Sequence, residues 1–294
     1  MNTHPIVPPR SDLLFRRIFT DEHNIGLLQS LLGSVLPDLP PAEWAQVRLS
    51  DPRVPGDHAG EKETVLDVRV VTATGTAIDV EVQLFPHPGL RERMAYSAAR
   101  LLSSQGHRGE PYHALRPAIV VVITGFDLTD DEHDTDYHHR HLLYDPDHHL
   151  VFTSILQIHT LELPKVPRTP DGTRAWPWMR FLAADTEEEL VMAATDHPDI
   201  TQAVTIVQRF SADETARHEA ESREKFLYDQ WSREHFAREE GERTGREEGE
   251  RAGAAQASRD SALRALRLGL PPEQVAEITG LGVDEVVLLA DVDR

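Results

Sequence analysis

Residues 65–83, VLDVRVVTATGTAIDVEVQ, decide the fold. The second half alternates strictly. Ile78, Val80 and Val82 point one way and Asp79, Glu81 and Gln83 the other, because strand side chains alternate with a period of two. The first half does nearly the same and carries one acid, Asp67, among apolar neighbours. Between them TATGTA reads as a hairpin turn at 73–76, with Gly75 supplying permissive backbone angles. A hairpin with one wet face carries acids as plain solvated groups. If both faces are covered, the same acids lie in a cleft, where a carboxylate is costly unless it is paired or bound to metal.

The flanking sequence favours coverage of both faces. Residues 11–35 repeat Leu14, Phe15, Ile18, Phe19 and then Leu27, Leu28, Leu31, Leu32 at helical spacing, with Ser11 or Asp12 as the N-cap. PDLPPAEW at 37–44 ends that unit, and a short strand is expected near 45–49. After the hairpin, 89–106 is an amphipathic helix whose narrow packing side runs through Leu90, Met94, Ala98 and Leu101. RPAIVVVITGF at 116–126 is apolar for nearly its whole length, which predicts a strand buried on both faces. The order helix, hairpin, helix, buried strand gives an α/β domain with helices packed on a mixed sheet.

Composition excludes several chemistries. The 294 residues contain no cysteine, which removes disulfides, thiolate zinc sites and cysteine nucleophiles, so any metal must be held by Asp, Glu, His or carbonyl oxygen. The longest apolar run, 118–126, is far too short to span a bilayer, and the N-terminus lacks the apolar core of a signal peptide. The expectation is a cytoplasmic protein without a membrane partner. Net charge is -20, unlike a protein that coats nucleic acid. Residues 1–120 hold 14 acids and 12 bases, a net of -2, so the rest carries -18.

Farther on, 130–149 gathers six of the 16 histidines with seven acids. No spacing in it repeats a zinc pattern, and the His-rich stretch 133–149 reads as a solvated loop, with YDPDHH turning a second hairpin between HLLY and LVFTSILQI. LELPKVPRTP then leads through a proline-rich link to helix from near Asp185. From 213 to about 268 the chain lacks proline and is mostly charged, which predicts one long helix or two. Its sparse apolar residues, such as Phe226, Leu227, Trp231 and Phe236, favour pairing with another copy or docking on the core. Gly241, Gly245, Gly249 and Gly253 recur every fourth residue, and each weakens a helix by roughly 1 kcal/mol relative to Ala. A loose charged spacer is the expectation there, with a close-packing stripe as the alternative. The end, 258–294, reads as three short helices resembling a helix-turn-helix unit. VDEVVLLADV has no basic residue to meet phosphates, so it reads as a packing or assembly module.

The ordered set SDLLFRRIF (11–19), VLDVRVVTATGTAIDVEVQ (65–83), RERMAYSAARLLSSQG (91–106), LELPKV (161–166), the Gly-stippled REEGERTGREEGERAG and LGLPPEQVAEITGL resembles the PD-(D/E)XK nucleases. The likeness is closer to their transposase-like branch, the recombination-promoting nuclease family. It implies a restriction-endonuclease-like mixed sheet flanked by helices, then a long helical C-terminal tail with a small three-helix end. The division implied is a nuclease domain at 1–184, the charged helical region with its Gly-stippled segment at 185–257, and the small terminal module at 258–294. The implied activity is Mg²⁺- or Mn²⁺-dependent hydrolysis of DNA in recombination or mobile-element biology. Asp67, Glu81 and Gln83 are then catalytic, Asp67 and Glu81 hold the metal, and Asp12, Arg93 and Tyr96 are supporting positions. Gln83 stands where the superfamily normally has lysine, a departure shared with the transposase-like branch. It offers hydrogen bonds but no charge. The partners implied are DNA and a second copy through the C-terminal helix. The competing function is a weak or inactive relative that acts as an assembly protein through its acidic tail.

Overall fold

The computed structural model describes residues 6–50, 53–54, 64–65, 68–106, 111–129, 131 and 133–292. Contacts group the chain into two units, residues 1–228 and 229–294. The first opens with helices α1 (Asp12–Phe19) and α2 (Ile25–Val35). Ser11 takes the N-cap position of α1, although its side chain makes no capping bond. Four short strands follow: β1 (Arg48–Leu49), β2 (Arg53–Val54), β3 (Thr64–Val65) and β4 (Val68–Val71). Then come β5 (Ala77–Gln83), helix α3 (Leu90–Ser103), β6 (Ala118–Thr124), β7 (His138–Asp145) and β8 (Leu150–Glu162). Helices α4 (Trp176–Ala183), α5 (Glu187–Ala194) and α6 (Pro198–Ala212) precede the long α7 (Glu214–Arg267), which begins in the first unit and ends in the second.

The six-stranded sheet has the order β1-β4-β5-β6-β8-β7, and β2 and β3 pair apart from it. β4 and β5 form the expected antiparallel hairpin, in the register Arg69 to Asp79 and Val71 to Ala77. Its turn is closed by the Thr72 amide donating to the Thr76 carbonyl at 3.0 Å. Gly75 has a φ of 95° there, a conformation that favours a residue without Cβ. The Thr72 and Thr74 hydroxyls both donate to the buried Glu43 carboxylate, which fixes the turn against the segment after α2.

β5, β6 and β8 run parallel. All seven residues of β6 are buried, because helices cover both faces of the sheet. Ile78, Val80, Ile119, Val121 and Ile123 enter the larger core with α1, α2, α4, α5 and α6. Ala77, Val120 and Val122 enter the smaller core under Leu90, Met94, Ala98 and Leu101 of α3. Each fully buried aliphatic side chain stabilises the fold by about 1.5–3 kcal/mol, so the central strands anchor the unit. The face of β5 that carries Asp79, Glu81 and Gln83 therefore lies under α3 and not in bulk water.

Three segments differ from the sequence expectation. The second hairpin forms as expected, but its first strand, β7, starts earlier at His138, so half of the His-rich stretch is strand paired antiparallel with β8 and not solvated loop. Helix α4 starts before Asp185, with Pro177 in its first turn, where a missing N–H costs nothing. The Gly-stippled stretch is continuous α-helix and not a loose spacer. Ion pairs one turn apart, Arg243 to Glu247 at 2.7 Å and Arg238 to Glu242 at 2.9 Å, support it against the glycines. In the second unit α8 (Pro272–Thr279) and α9 (Val283–Val292) pack Val275 and Val286 against Ala262 and Ala265 of α7. Among the described residues no helix is long and apolar enough to cross a membrane.

Buried His159 couples the fold to pH through its low pKa. His159 of β8 lies 3.0 Å from His138 of β7, ring nitrogen to ring nitrogen. Burial, and after it the neighbouring His138 and Arg140, push the His159 imidazole down from 6.5 to about 3. The unfolded chain then takes up this proton below about pH 6.5 while the folded one does not until about pH 3. Stability is fully present above that window and is lost as pH falls through it, by about 1 kcal/mol per unit. Thermal melts at pH 7 and pH 5 should show a smaller drop for His159→Gln than for the wild type. Equal drops in the two proteins would show that His159 does not couple to folding.

Candidate functional site

Strand alternation brings two carboxylates under α3. Asp79 is fully buried and Glu81 is 7% exposed. Arg69 of β4 stands directly across from Asp79 and donates to the Ser104 hydroxyl at 3.1 Å, at the end of α3. Glu81 accepts from Arg93 at 3.2 Å and from the Gln83 amide at 3.5 Å, both at the same oxygen, Oε2. Arg93 lies in the first turn of α3, which follows its N-cap Gly89, where φ is 73°. Two carboxylates on one strand face repel, and the guanidiniums of Arg69 and Arg93 flank them with opposite charge.

Of the residues singled out in the sequence, Glu81, Gln83 and Arg93 are brought together. Tyr96 stands exposed one turn farther along α3. Asp12 opens α1 and is ion-paired with Arg16 at 3.1 Å and with Arg223 of α7 at 2.8 Å. Asp67 lies outside the described residues.

A second cluster occupies the same sheet face. The parallel register aligns Gln83 with Thr124 and Thr124 with Glu162, so Glu162 ends β8 two strands from Gln83. Glu162 is fully buried. It accepts from the Leu128 amide at 2.7 Å and faces the Lys165 ammonium at 3.1 Å. Lys165 also lies 3.0 Å from Asp134, which in turn meets the His139 ring at 3.1 Å. The hydrogen bonds from Lys165 and then Thr129 hold the Asp134 carboxyl well below the usual carboxylate range. Burial works against the Lys165 ammonium, but its bonds to Asp134 and Glu162 outweigh that and raise its pKa.

Ligand atoms of Asp134, His139 and Glu162 all lie within 4.8 Å of one another, close enough to share a cation. Sequence reasoning treated this histidine as part of a solvated loop. The three residues come from a loop and two strands, and the faint signal was Glu162 three positions before Lys165 in LELPKV.

The family model described as PD-(D/E)XK nuclease family transposase matches residues 9–236. The chain belongs to this family. No curated protein and no solved structure gives a match. The matched span contains Glu81, Gln83, Arg93 and the whole second cluster, and leaves α8 and α9 outside. The mixed six-stranded sheet with helices on both faces is consistent with the PD-(D/E)XK fold.

Nucleases of this kind use divalent metals, and the transposase-family chain offers two donor sets. Glu81 supplies hard carboxylate oxygen on the motif strand, which suits Mg²⁺ or Mn²⁺. The second set includes an imidazole nitrogen, which suits a transition metal better than Mg²⁺. Lys165 already provides a cation between the two acids of that second set.

Proposed function

We propose that this PD-(D/E)XK nuclease family transposase hydrolyses DNA phosphodiester bonds with Mg²⁺ or Mn²⁺ held by Asp67 and Glu81. The observation that carries the reading is the convergence of Glu81, Gln83 and Arg93 under α3, on the strand that bears the family motif. A bound divalent ion would supply charge stabilisation to the phosphate and a more acidic water. The chain's own groups do the rest. Gln83 orients a water or a phosphate oxygen by hydrogen bonds, without carrying a proton. Arg93, half exposed beside Glu81, offers a guanidinium to the DNA backbone. Tyr96 lies on the exposed side of the same helix. Asp12 is paired with Arg16 and Arg223 instead and stands apart from this group. The biological setting proposed is recombination or mobile-element DNA, in the cytoplasm.

A second reading is favoured by charge. Residues 121–294 carry a net -18, and Gln83 provides none of the positive charge that lysine would. On that reading the chain is a weak or inactive relative that acts as an assembly protein through its acidic tail. The two readings part in a plasmid assay. Wild-type protein is expected to nick supercoiled DNA in Mg²⁺ or Mn²⁺, and Asp67→Ala to leave it intact. Folded wild-type protein that binds DNA but cleaves none in either metal would favour the assembly reading.

A further inference from the structure

The two side chains that would meet substrate in the motif site are engaged on one atom. Arg93 donates to Glu81 Oε2 at 3.2 Å, and the Gln83 amide donates to that same oxygen at 3.5 Å. A carboxylate oxygen is also what a hard divalent ion takes from a glutamate. The two donors and such an ion therefore seek the same negative charge. The Glu81 side chain is only 9% exposed, so little water screens that contest.

The two donors differ in what they lose. Gln83 is neutral and its bond is long, so it turns aside at small cost. Arg93 carries a full charge. A dication on Glu81 draws off the charge that holds the guanidinium and also repels it. Arg93 can then turn outward, because its side chain is 41% exposed. The planar fork of its guanidinium matches a phosphate by two parallel hydrogen bonds, and a phosphate oxygen is what arrives beside a metal at this site.

We propose that Arg93 is exchanged between Glu81 and the DNA phosphate. It neutralises Glu81 before metal binds, and it moves to the substrate backbone once a divalent ion takes the carboxylate. This rests on the reading of Glu81 as a metal ligand and adds an order of events to it. Metal and DNA then bind with positive coupling, because each draws Arg93 off Glu81 in its own way. Without metal the chain keeps its two donors on its own carboxylate and holds DNA weakly.

Calorimetric Mn²⁺ titrations of the full chain without DNA test the first half, with Glu81→Gln as the blank for binding elsewhere. Arg93→Gln should bind Mn²⁺ at least about tenfold more tightly than the wild type, since a charge-assisted hydrogen bond no longer has to be broken. Arg93→Lys keeps the charge and should stay near the wild type. Circular dichroism checks that both variants fold. Salt-titrated DNA binding tests the second half, in EDTA and in Ca²⁺, which takes the same oxygen ligands. In Ca²⁺ the wild type should show a salt slope steeper than that of Arg93→Gln by about one phosphate contact, and in EDTA the two slopes should coincide. Mn²⁺ affinity that is equal or weaker in Arg93→Gln would overturn the exchange and leave Glu81 a metal ligand. Mn²⁺ binding by wild type and Arg93→Gln no better than the blank would overturn the metal reading, and the exchange with it. A salt slope that Arg93→Gln lowers equally in EDTA and in Ca²⁺ would make Arg93 a constant backbone contact, which also overturns the exchange.

Discussion

Glu81→Gln is expected to slow metal-dependent cleavage by at least about 10³-fold and to leave the fold intact. Charge stabilisation by a bound metal is worth several kcal/mol, and each 1.36 kcal/mol is a factor of about ten in rate. The substitution removes the anionic ligand and keeps its shape. Gln can still accept from Arg93, whose half-exposed side chain stays hydrated, so no buried charge is orphaned. Asp79 and Glu81 repel each other across one strand face, so losing one charge should leave the melting temperature unchanged or raise it. Single-turnover cleavage and a thermal melt of the two proteins check this. A well-folded Glu81→Gln protein that cuts at the wild-type rate would remove Glu81 from the chemistry.

Lys165→Met is expected to destabilise the first unit by about 2–3 kcal/mol, and so to lower its melting temperature by roughly 5–10 °C. The reason is Glu162, which is fully buried and has its counter-charge on Lys165. Methionine keeps most of the stem and removes the ammonium, so Glu162 and Asp134 lose the cation between them. Mn²⁺ should then restore much of the lost melting temperature, because three ligand atoms already lie within 4.8 Å of one another. Metal-independent melting of Lys165→Met would show that the cluster is a structural ion-pair network and nothing more. An unchanged melting temperature without metal would show that water solvates Glu162 well enough without its lysine.

The hairpin of β4 and β5, the buried β6 and the long α7 were legible because each rests on local periodicity. Alternation placed Glu81 and Gln83 on one face, and the apolar run of β6 implied a layer above that face. Arg93 was legible as a position on the helix after the motif strand, but its bond to Glu81 was not. The cluster of Asp134, His139 and Glu162 was not legible. Its members are joined only by the pairing of β7 with β8, and the crowd of histidines around His139 masks the one that matters. Helix α4 was hidden by its prolines, which read as linker until one of them is placed in a helix's first turn. The Gly stripe misled for a different reason. Propensity counts the roughly 1 kcal/mol cost of each glycine, and the ion pairs around Arg243 and Arg238 offset part of it.

Where a metal binds is the most direct test of the Glu81 assignment. Anomalous diffraction from crystals of the full chain grown in Mn²⁺ would locate it. The expected result is a Mn²⁺ peak in contact with the Glu81 carboxylate beneath α3, lost in Glu81→Gln. A peak held only by Asp134, His139 and Glu162, with none at Glu81, would contradict it.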